Sequence, residues 1–345
     1  MKENGATFII TGGAGFIGSA FIRQVLDAFP QSRVTNFDAL TYAGNLDNLK
    51  DLDETRYEFV RGDIADRDAV LSAIPKGTEA IVNFAAESHV DRSIASADEF
   101  IRTNVLGTQV LLDAARDRGV KRFVQISTDE VMGSLPEDES AFFTEESPFA
   151  PNSPYAASKA AAEQLVRAAY HTFGLDTVIT RCGNNYGPRQ FPEKFLPLML
   201  ANAMNDEPIP VYGDGLNVRD WIYVDDHCRA ILLALENGRA GATYNIGARN
   251  QRRNIDVARS VLAALGKPES LLRFVKDRPG HDRRYAIDPS LAENELGWRP
   301  RETWESGLRK TIDWYRANRE WVERTRSGAY REFYARQYGI EVGTR

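Results

Sequence analysis

The first half of the chain alternates short apolar runs with longer amphipathic segments. The apolar runs lie at residues 7–11, 34–37, 57–61, 80–84, 122–127 and 177–181. Between them, residues 17–29, 104–118 and 156–173 carry apolar positions at helical spacing. An alternation of strands and helices predicts an α/β fold built on a doubly wound parallel sheet.

The second half of the chain is less regular, because five prolines between Pro188 and Pro210 interrupt it. A strand-like run, VRDWIYVDD, leads into a predicted helix at residues 228–236, and residues 304–322 are predicted to form one further helix. We therefore predict two interleaved lobes. Residues 1–182, joined by part of 218–247, form the larger lobe, and residues 183–217 and 248–345 form a smaller C-terminal one.

Composition narrows the class of protein. The 345 residues include 43 Lys and Arg against 49 Asp and Glu, so the net charge of -6 argues against a nucleic-acid partner. Two cysteines far apart predict no disulfide, and four histidines without ligand spacing predict no metal. The N-terminal MKENGATFIITGGAG resembles neither a signal peptide nor a membrane span. We expect a cytoplasmic protein without a membrane partner.

The first strand runs into a glycine-rich turn, FIITGGAGFIGSAFIRQVL, which continues as a helix. Glycines at 12, 15 and 18 would permit a tight turn and let the backbone approach a pyrophosphate at the helix N-terminus. A tight turn alone would explain the glycines, but Asp38 ends the next strand about 20 residues later. A carboxylate there binds ribose hydroxyls and repels a 2′-phosphate, which favours NAD over NADP. The alternative is a surface aspartate.

Two further groups of residues suggest chemistry beside this turn. Tyr155 and Lys159, in SPYAASKAAAEQL, lie four residues apart at the start of a predicted helix and so share one face. Packing plus a solvated amine would explain the pair. Next to NAD, the lysine and the nicotinamide both favour a phenolate, so Tyr155 is a candidate base, with Thr128 as a third member.

The strand at residues 122–127 ends in Ser-Thr-Asp-Glu, which places the carboxylates of Asp129 and Glu130 side by side. Acidic pairs on loops are usually solvated. As catalytic groups, the two would need different environments, one protonated and one ionised.

The glycine turn, the Tyr-Lys pair and the strand-end hydroxyl resemble the extended short-chain dehydrogenase/reductase family, which has a Rossmann sheet. Within that family, STDEV, AAESHVDRS, GNNYGP, FPEK, RDWIYVDDH and DRPGHDRRYAID resemble the 4,6-dehydratases that act on dTDP-glucose. The motifs occur in order from Gly12 to Tyr330. The resemblance implies an NAD-binding larger lobe and a nucleotide-sugar-binding smaller lobe.

The resemblance also implies a reaction. Bound NAD would oxidise C4 of the sugar, water would be eliminated across C5 and C6, and hydride would return to C6. Glu130 would be the base for the C5 proton and a protonated Asp129 the acid for the C6 hydroxyl, with Thr128, Tyr155 and Lys159 completing the catalytic set. No net redox change occurs, so NAD should stay bound.

The resemblance and the motifs together give two sets of contacts. The expected cofactor contacts are Gly12, Gly15, Phe16, Ile17, Gly18, Asp38, Leu40, Thr41, Asp63, Ile64, Phe84, Ala85, Ala86, Ser88, Thr103, Tyr155, Lys159 and Asn185. The expected substrate contacts are Ser88, Thr128, Asp129, Glu130, Asn184, Lys194, Phe195, Pro210, Val211, Tyr212, Arg219, Asn254, Arg278, His281 and Tyr330. Among these, Arg219 and Arg278 with His281 would clamp the diphosphate.

Alternatives remain open at this stage. A UDP-glucose 4,6-dehydratase and a nucleotide-sugar 4-epimerase share the scaffold, although the acidic pair argues against the epimerase. A catalytically silent NAD-binding regulator would have little reason to keep all five catalytic residues. Met132 replaces the tyrosine usual in the family, so the pocket beside the acidic pair could differ in polarity.

Several side chains receive a plain structural interpretation. His89, His171 and His227 are interpreted as core or surface histidines, and Cys182 as an unactivated thiol. The helices at 104–118 and 156–173 have alanine- and leucine-rich faces, which form a dimer interface in the family, so we expect a homodimer.

Overall fold

The computed structural model describes residues 5–138 and 140–326. Its strands, in chain order, are β1 (Thr7–Thr11), β2 (Arg33–Asp38), β3 (Tyr57–Arg61), β4 (Ala80–Asn83), β5 (Arg122–Thr128), β6 (Thr177–Cys182), β7 (Asn184–Tyr186), β8 (Ile209–Tyr212), β9 (Val218–Tyr223), β10 (Thr243–Ile246), β11 (Gln251–Arg253) and β12 (Leu272–Val275).

The α-helices lie between or after these strands along the chain, and two irregular helical segments lie near the site. The α-helices are α1 (Phe16–Ala28), α2 (Arg67–Ala73), α3 (Val90–Ala95), α4 (Asp98–Phe100), α5 (Thr108–Arg118), α6 (Pro154–Phe173), α7 (Phe195–Met204), α8 (Val224–Asn237), α9 (Asn254–Leu265), α10 (Ser290–Glu295), α11 (Trp304–Ala317) and α12 (Arg319–Thr325). A π-helical segment, Ile101–Gly107, joins α4 to α5, and a 3₁₀ turn, Asp129–Met132, follows β5.

Seven parallel strands form the central sheet, in the order β10-β6-β5-β4-β1-β2-β3. The order reverses between β1 and β4, so the carboxyl ends of these strands border a crevice where doubly wound sheets bind ligands. The predicted α/β fold with a parallel Rossmann sheet is confirmed.

Both faces of the sheet are covered, so β1, β4, β5 and β6 are buried along almost their whole length. Side chains alternate along β1: Phe8 and Ile10 pack against one cluster with α1 and α8, whereas Ile9 packs on the opposite face. One strand therefore contributes side chains to two hydrophobic layers, one on each face of the sheet.

The second lobe has its own core. Helices α7, α9 and α11 pack around residues such as Met199, Trp221, Val257 and Leu308. β9 pairs with β7 and β11 in a three-stranded sheet, while β10 joins the large sheet beside β6. The chain thus crosses between the two regions within residues 218–247. The exact lobe boundaries stay a prediction.

Two predicted helices differ in detail. The helix predicted at residues 304–322 is two helices, because it breaks at Asn318, whose backbone leaves helical geometry and whose side chain bonds the Trp314 carbonyl. The helix predicted from residue 104 continues a longer helical stretch that begins at Asp98. None of the helices among the described residues has the length and apolar composition needed to cross a bilayer.

Candidate active site

A cavity of about 470 Å³ opens at the carboxyl ends of the central strands and is walled on its other side by the smaller lobe. It is lined by residues of the glycine-rich turn, the ends of β2 to β6, the start of α6 and the second lobe. Most of the site residues expected from both lobes therefore meet in one place.

The glycine turn holds the start of α1 close to the neighbouring strand. Gly12 has φ +67°, and a Cβ there would lie 2.6 Å from the backbone nitrogen of Ala85. A Cβ on Gly18 would lie 2.4 Å from the Gly12 carbonyl oxygen. Side chains at these positions would fill the cradle that a pyrophosphate needs at the α1 N-terminus.

Asp38 ends β2 beside this turn. Its carboxylate accepts hydrogen bonds from the backbone N–H groups of Ala14 (2.9 Å) and Leu40 (2.8 Å). Burial raises the pKa of Asp38, and the two N–H donors oppose that rise. The carboxylate is thus fixed at the strand end, with lone pairs left for ribose hydroxyls.

Other expected cofactor residues line the same wall. They are Gly15, Phe16, Ile17, Thr41, Asp63, Ile64, Phe84, Ala85, Ala86, Ser88, Thr103 and Asn185. Leu40 does not line the cavity: its φ of +53° turns the chain, and its backbone N–H bonds Asp38 instead. Its side-chain contact with a cofactor is therefore not supported.

Tyr155 and Lys159 lie on the buried face of α6. Ser153 caps the helix by accepting the Ala156 N–H (3.1 Å), and Pro154 occupies its first turn. Lys159 Nζ donates to the Ile126 carbonyl at 2.6 Å, which ties α6 to the end of β5. Both side chains line the cavity.

The pKa values of this pair do not by themselves favour the expected phenolate form of Tyr155. Burial lowers the pKa of Lys159 to about 8. Burial and then the Glu130 charge raise the pKa of Tyr155 well above its ordinary value, although a hydrogen bond with Thr128 opposes this. A phenolate therefore requires positive charge beyond Lys159, such as that of an oxidised nicotinamide.

The acidic pair lies in the 3₁₀ turn that follows β5. Thr128 Oγ1 accepts the Glu130 N–H at 3.3 Å and lies 3.4 Å from Asp129 Oδ1, so one hydroxyl orients both residues. Asp129 is 2% exposed, whereas Glu130 is half-buried. Asp129 Oδ2 has no hydrogen-bond partner among the described residues. Both carboxyl groups line the cavity, so this pair is not a solvated loop.

The two carboxyl groups have different electrostatic surroundings. Burial, and then the charge of Glu130, raise the pKa of Asp129 well above its ordinary value. Burial also raises the pKa of Glu130, but Arg278, Arg219 and Lys194 oppose the rise. The surroundings favour a protonated Asp129 and keep Glu130 closer to its ionised form.

The second lobe contributes cations to the opposite wall. Arg219 is held by carbonyl acceptors on Val218 (2.8 Å) and Asp282 (2.9 Å), and its guanidinium lies 4.2 Å from the Tyr285 ring centroid. Arg278 Nη1 lies 3.3 Å from Asp91 Oδ1. The two guanidinium groups are therefore positioned by protein contacts and face the cavity.

His281 differs from the two arginines. Its Nδ1 lies 2.6 Å from Asp277 Oδ1, but burial and the charge of Arg278 lower its pKa to about 4. At neutral pH it is an uncharged hydrogen-bonding group and adds no positive charge to that of the two arginines.

The remaining substrate candidates also converge, with two exceptions. Ser88, Asn184, Lys194, Phe195, Pro210, Tyr212 and Asn254 line the cavity. Val211 does not, because side chains alternate along β8 and its own is fully buried in the core. Tyr330 lies outside the described residues.

Met132 lies away from the cavity. It is buried, and its Sδ is 3.6 Å from Arg181 Nη1, whose guanidinium pairs with Glu163 at 2.8 Å. Met132 does not line the cavity, so the expected change of polarity beside the acidic pair is not seen.

Sequence reasoning assigned no role to several residues that shape the site. Asp91 accepts the Tyr212 hydroxyl (3.0 Å) and pairs with Arg278. Glu193 pairs with Arg92 at 3.1 Å. Asp91 and Arg92 occur in AAESHVDRS and Glu193 in FPEK, so the motifs pointed to these segments but not to the contacts between them.

No cluster of three or more His, Cys, Asp or Glu side chains within residues 5–138 and 140–326 could hold a metal ion. The absence of a metal stays a prediction.

Comparison with known proteins agrees with this site. The sequence model of the GDP-mannose 4,6 dehydratase family matches residues 9–311. A dTDP-glucose 4,6-dehydratase of Xanthomonas campestris pv. campestris (strain B100) is 51% identical over 347 residues, which cover 94% of this chain and 97% of that protein.

Solved structures show the same relationship. The structure of DesIV, a dTDP-glucose 4,6-dehydratase from Streptomyces venezuelae with NAD bound, is 50% identical and superposes with a TM-score of 0.89 over 92% of this chain and 99% of that one. The UDP-glucose 4-epimerase of Thermotoga maritima is 28% identical, with a TM-score of 0.83 over 90% and 99% of the two chains. The chain therefore belongs to the dTDP-glucose 4,6-dehydratase family of extended short-chain dehydrogenases/reductases.

Proposed function

We propose that this protein converts dTDP-glucose to dTDP-4-keto-6-deoxyglucose with tightly bound NAD. The observation that carries the proposal is the pair Asp129 and Glu130, held by Thr128 beside Tyr155 in one cavity. Burial raises the pKa of both, but more strongly that of Asp129, because three cations oppose the rise at Glu130. An elimination of water needs one acid and one base, and this pair supplies both.

NAD, when bound, accepts hydride from C4 of the sugar and returns it to C6. The Gly12 and Gly18 cradle, which a Cβ would fill, fits its pyrophosphate, and the Asp38 carboxylate fits the adenosine ribose. Repulsion between Asp38 and a 2′-phosphate favours NAD over NADP.

Tyr155 is the base for the C4 hydroxyl proton, with Thr128 as its hydrogen-bond partner. Once C4 is a ketone, the neighbouring C5 hydrogen becomes acidic and Glu130 removes it as a proton. The C6–O bond breaks as Asp129 gives its proton to the leaving hydroxyl, which departs as water. A proton then returns to C5 from Glu130. Tyr155 gives up the proton that it took from the C4 hydroxyl and Asp129 regains one, so all three groups return to their starting states.

The second lobe holds the nucleotide. Arg219 and Arg278 carry the charge that a diphosphate requires, and both already have fixed partners that aim them at the cavity. Pro210 and Tyr212 share one face of β8 and offer a flat surface to the base. These contacts recognise a nucleotide-diphosphate sugar. Relatives named for dTDP-glucose, at about half identity, favour that sugar over UDP-glucose.

The deciding experiment is mass spectrometry of the product after purified protein is incubated with dTDP-glucose and, separately, UDP-glucose, without added NAD. We expect loss of one water from the dTDP sugar and release of NAD from the denatured protein. Loss from the UDP sugar alone would replace the substrate but keep the chemistry. No water loss from either sugar, with NAD added, would overturn the proposal.

We also infer that the protein is cytoplasmic and forms a homodimer. The helical stretch from Asp98 to Arg118 leaves Ile101 and Leu106 about half exposed on its surface, beside α6. A second copy of the chain, packing the same face against this one, would cover them.

A further inference from the structure

His227 lies fully buried in the first turn of α8, directly behind the cavity wall. Its Nδ1 is 2.9 Å from Oδ1 of Asn185, a residue of β7 that lines the cavity. The histidine therefore reaches the site through one amide side chain.

The orientation of that amide is determined by its other neighbours. Asn185 Nδ2 donates to the Gly183 carbonyl at 3.2 Å and to Cys182 Sγ at 3.4 Å. A reversed amide would place its oxygen against the Gly183 carbonyl, and two acceptors would repel each other. Oδ1 consequently faces the histidine.

This arrangement also determines the tautomer. Because Asn185 Oδ1 only accepts, His227 Nδ1 must carry the proton and Nε2 the lone pair. Nε2 is buried without a hydrogen-bond partner among the described residues, so no acceptor there would stabilise a second proton on the ring. Burial lowers the pKa of His227 to about 3, which keeps the ring neutral at physiological pH.

Asn185 is connected to the rest of the wall as well. Its backbone carbonyl accepts Gln190 Nε2 at 2.9 Å, and Cys182, its side-chain partner, lies opposite Thr128 in the β5–β6 pairing. An amide that turned would disturb the cavity wall at the end of β6.

We propose that His227 is a positioning residue that holds the Asn185 amide in the orientation that the nicotinamide end of the cofactor site requires. This role rests on the proposed NAD-dependent function. His227 touches neither cofactor nor substrate; it acts through Asn185. Its function is to keep a polar side chain preorganised in a site that must hold NAD through the whole reaction.

The test compares His227→Asn with His227→Leu. The two replacements are similar in size, but only asparagine offers an N–H near the position of Nδ1. We expect His227→Leu to retain NAD about tenfold less tightly than the wild type, because it leaves Asn185 Oδ1 buried and unpaired, whereas His227→Asn restores most of the retention. NAD content after gel filtration and the NAD dissociation rate are the readouts.

Thr311→Val is the matched control, because it removes a fully buried hydroxyl, bonded to the Gly307 carbonyl, in a helix that lies outside the cavity wall. Its melting temperature should fall while NAD retention stays unchanged. A purely structural role for His227 would make the Asn and Leu variants lose stability with equal NAD retention, and that result would overturn the proposal.

A second measurement does not depend on any variant folding. Nitrogen NMR of histidine-labelled wild-type protein, with the ring signals assigned to their residues, should show His227 in the Nδ1-protonated form without titration between pH 5 and 8. His281 should behave in the same way, because its Nδ1 faces the Asp277 carboxylate and its pKa is also lowered, to about 4. An Nε2-protonated His227 would overturn the proposal. A wild-type protein unable to bind NAD would overturn the proposed function and this role together, whereas equal retention in all variants would overturn this role alone.

Discussion

At the scale of single residues, the chemistry depends on how two neighbouring carboxyl groups differ. Asp129 is surrounded by protein, and its charged neighbour Glu130 makes ionisation harder still. Glu130 faces three cations that partly offset its own desolvation. Arg219 acts on both carboxyl groups, whereas Arg278 and Lys194 act on Glu130, so adjacent positions in the chain differ in how much positive charge offsets their burial.

Glu130→Gln should separate oxidation from elimination. The amide cannot remove the C5 proton, but the C4 hydroxyl and its hydride are unaffected. We expect dTDP-glucose to reduce the bound NAD, seen as absorbance of the reduced cofactor, while water loss falls by about 10²–10⁴ fold. Glu137→Gln, an exposed glutamate on the following loop, serves as the control. Normal dehydration in Glu130→Gln would show that another group is the base.

The pH dependence of the elimination should report the surroundings of Glu130. Its pKa is raised by burial, so as pH falls the base takes up a proton earlier than an ordinary glutamate, near 4.3, would. As the pH is lowered, the single-turnover rate of water loss should therefore begin to fall while the pH is still above the pKa of an ordinary glutamate. Cofactor reduction, measured in the same reaction, should keep its own profile. An elimination rate that stays constant down to the ordinary value would contradict this assignment.

The same residues show what sequence can and cannot predict. Asp129 and Glu130 stand out because an apolar strand stops abruptly at them, and Gly12 and Gly18 because their spacing fits a turn. His227 does not stand out, since a buried histidine in a helix has the pattern of any core residue. Its partner Asn185 lies 42 positions away, and only the folded chain brings the two together.

At the scale of elements, the π-helical segment Ile101–Gly107 connects the cofactor wall to the molecular surface. In this segment, Asn104 Oδ1 accepts the Glu87 N–H and Asn104 Nδ2 donates to the Glu87 carbonyl (2.9 Å each). Nδ2 also donates to the Ser158 hydroxyl at 2.8 Å. The wider turn of a π-helix lets this side chain reach two neighbouring elements at once. Periodicity predicts a helix here, but local spacing does not reveal the wider turn.

The exposed face of this segment provides a test of the dimer. Ile101 and Leu106 are 51% and 49% exposed, which is unusual for two neighbouring large apolar side chains. A charge in a covered apolar interface costs far more than one at a free surface. We expect Ile101→Glu with Leu106→Asp to give a monomer in light scattering, while the wild type is a dimer.

Phe274→Asp is the matched control for the dimer, because Phe274 is equally exposed but lies on β12 in the second lobe. It should leave the mass unchanged. A monomeric wild type, or a double variant that remains dimeric, would show that this face is not the interface.

The helices near the C-terminus show the limit of element prediction. A continuous amphipathic pattern across residues 304–322 predicts one helix, yet the helix is interrupted at Asn318. The break lets Trp321 turn inward so that its Nε1 donates to Asn48 Oδ1 at 3.1 Å. The two residues are 273 positions apart, so this contact, which favours the interruption, cannot be read from the local sequence around residues 304–322.

At the scale of the whole molecule, the catalytic cavity exists because the two regions hold each other. Lys194 and Phe195, at the start of α7, both line the cavity. The start of this helix is attached to the NAD-binding side by Lys194 Nζ, which donates to the Ser88 carbonyl at 2.6 Å. Beside it, Glu193 is buried and pairs with Arg92 of α3. Doubly wound folds are predictable from alternation, but this attachment is not, because it joins motifs that look independent in the sequence.

Glu193→Gln therefore tests whether the attachment positions the substrate side chains. Glu193 pairs with Arg92 at 3.1 Å, lies 4.0 Å from His89 Nε2 and shares a hydrogen bond with Tyr42, so three groups of the larger lobe surround its carboxylate and Arg92 depends on its charge. Loss of that charge leaves a partly buried guanidinium with a weaker partner, at a cost of about 1–3 kcal/mol in unfolding free energy.

If the attachment sets the position of Lys194 and Phe195, the KM for dTDP-glucose should rise about tenfold while kcat at saturation changes little, because the lost interaction supports ground state and transition state alike. Glu305→Gln, which weakens an exposed pair with Arg252, should change neither constant and cost under about 1 kcal/mol. Steady-state kinetics and urea unfolding measure both effects. Lost stability with an unchanged KM would mean that Glu193 supports only the fold, and that the cavity keeps its shape through the remaining contacts between the lobes.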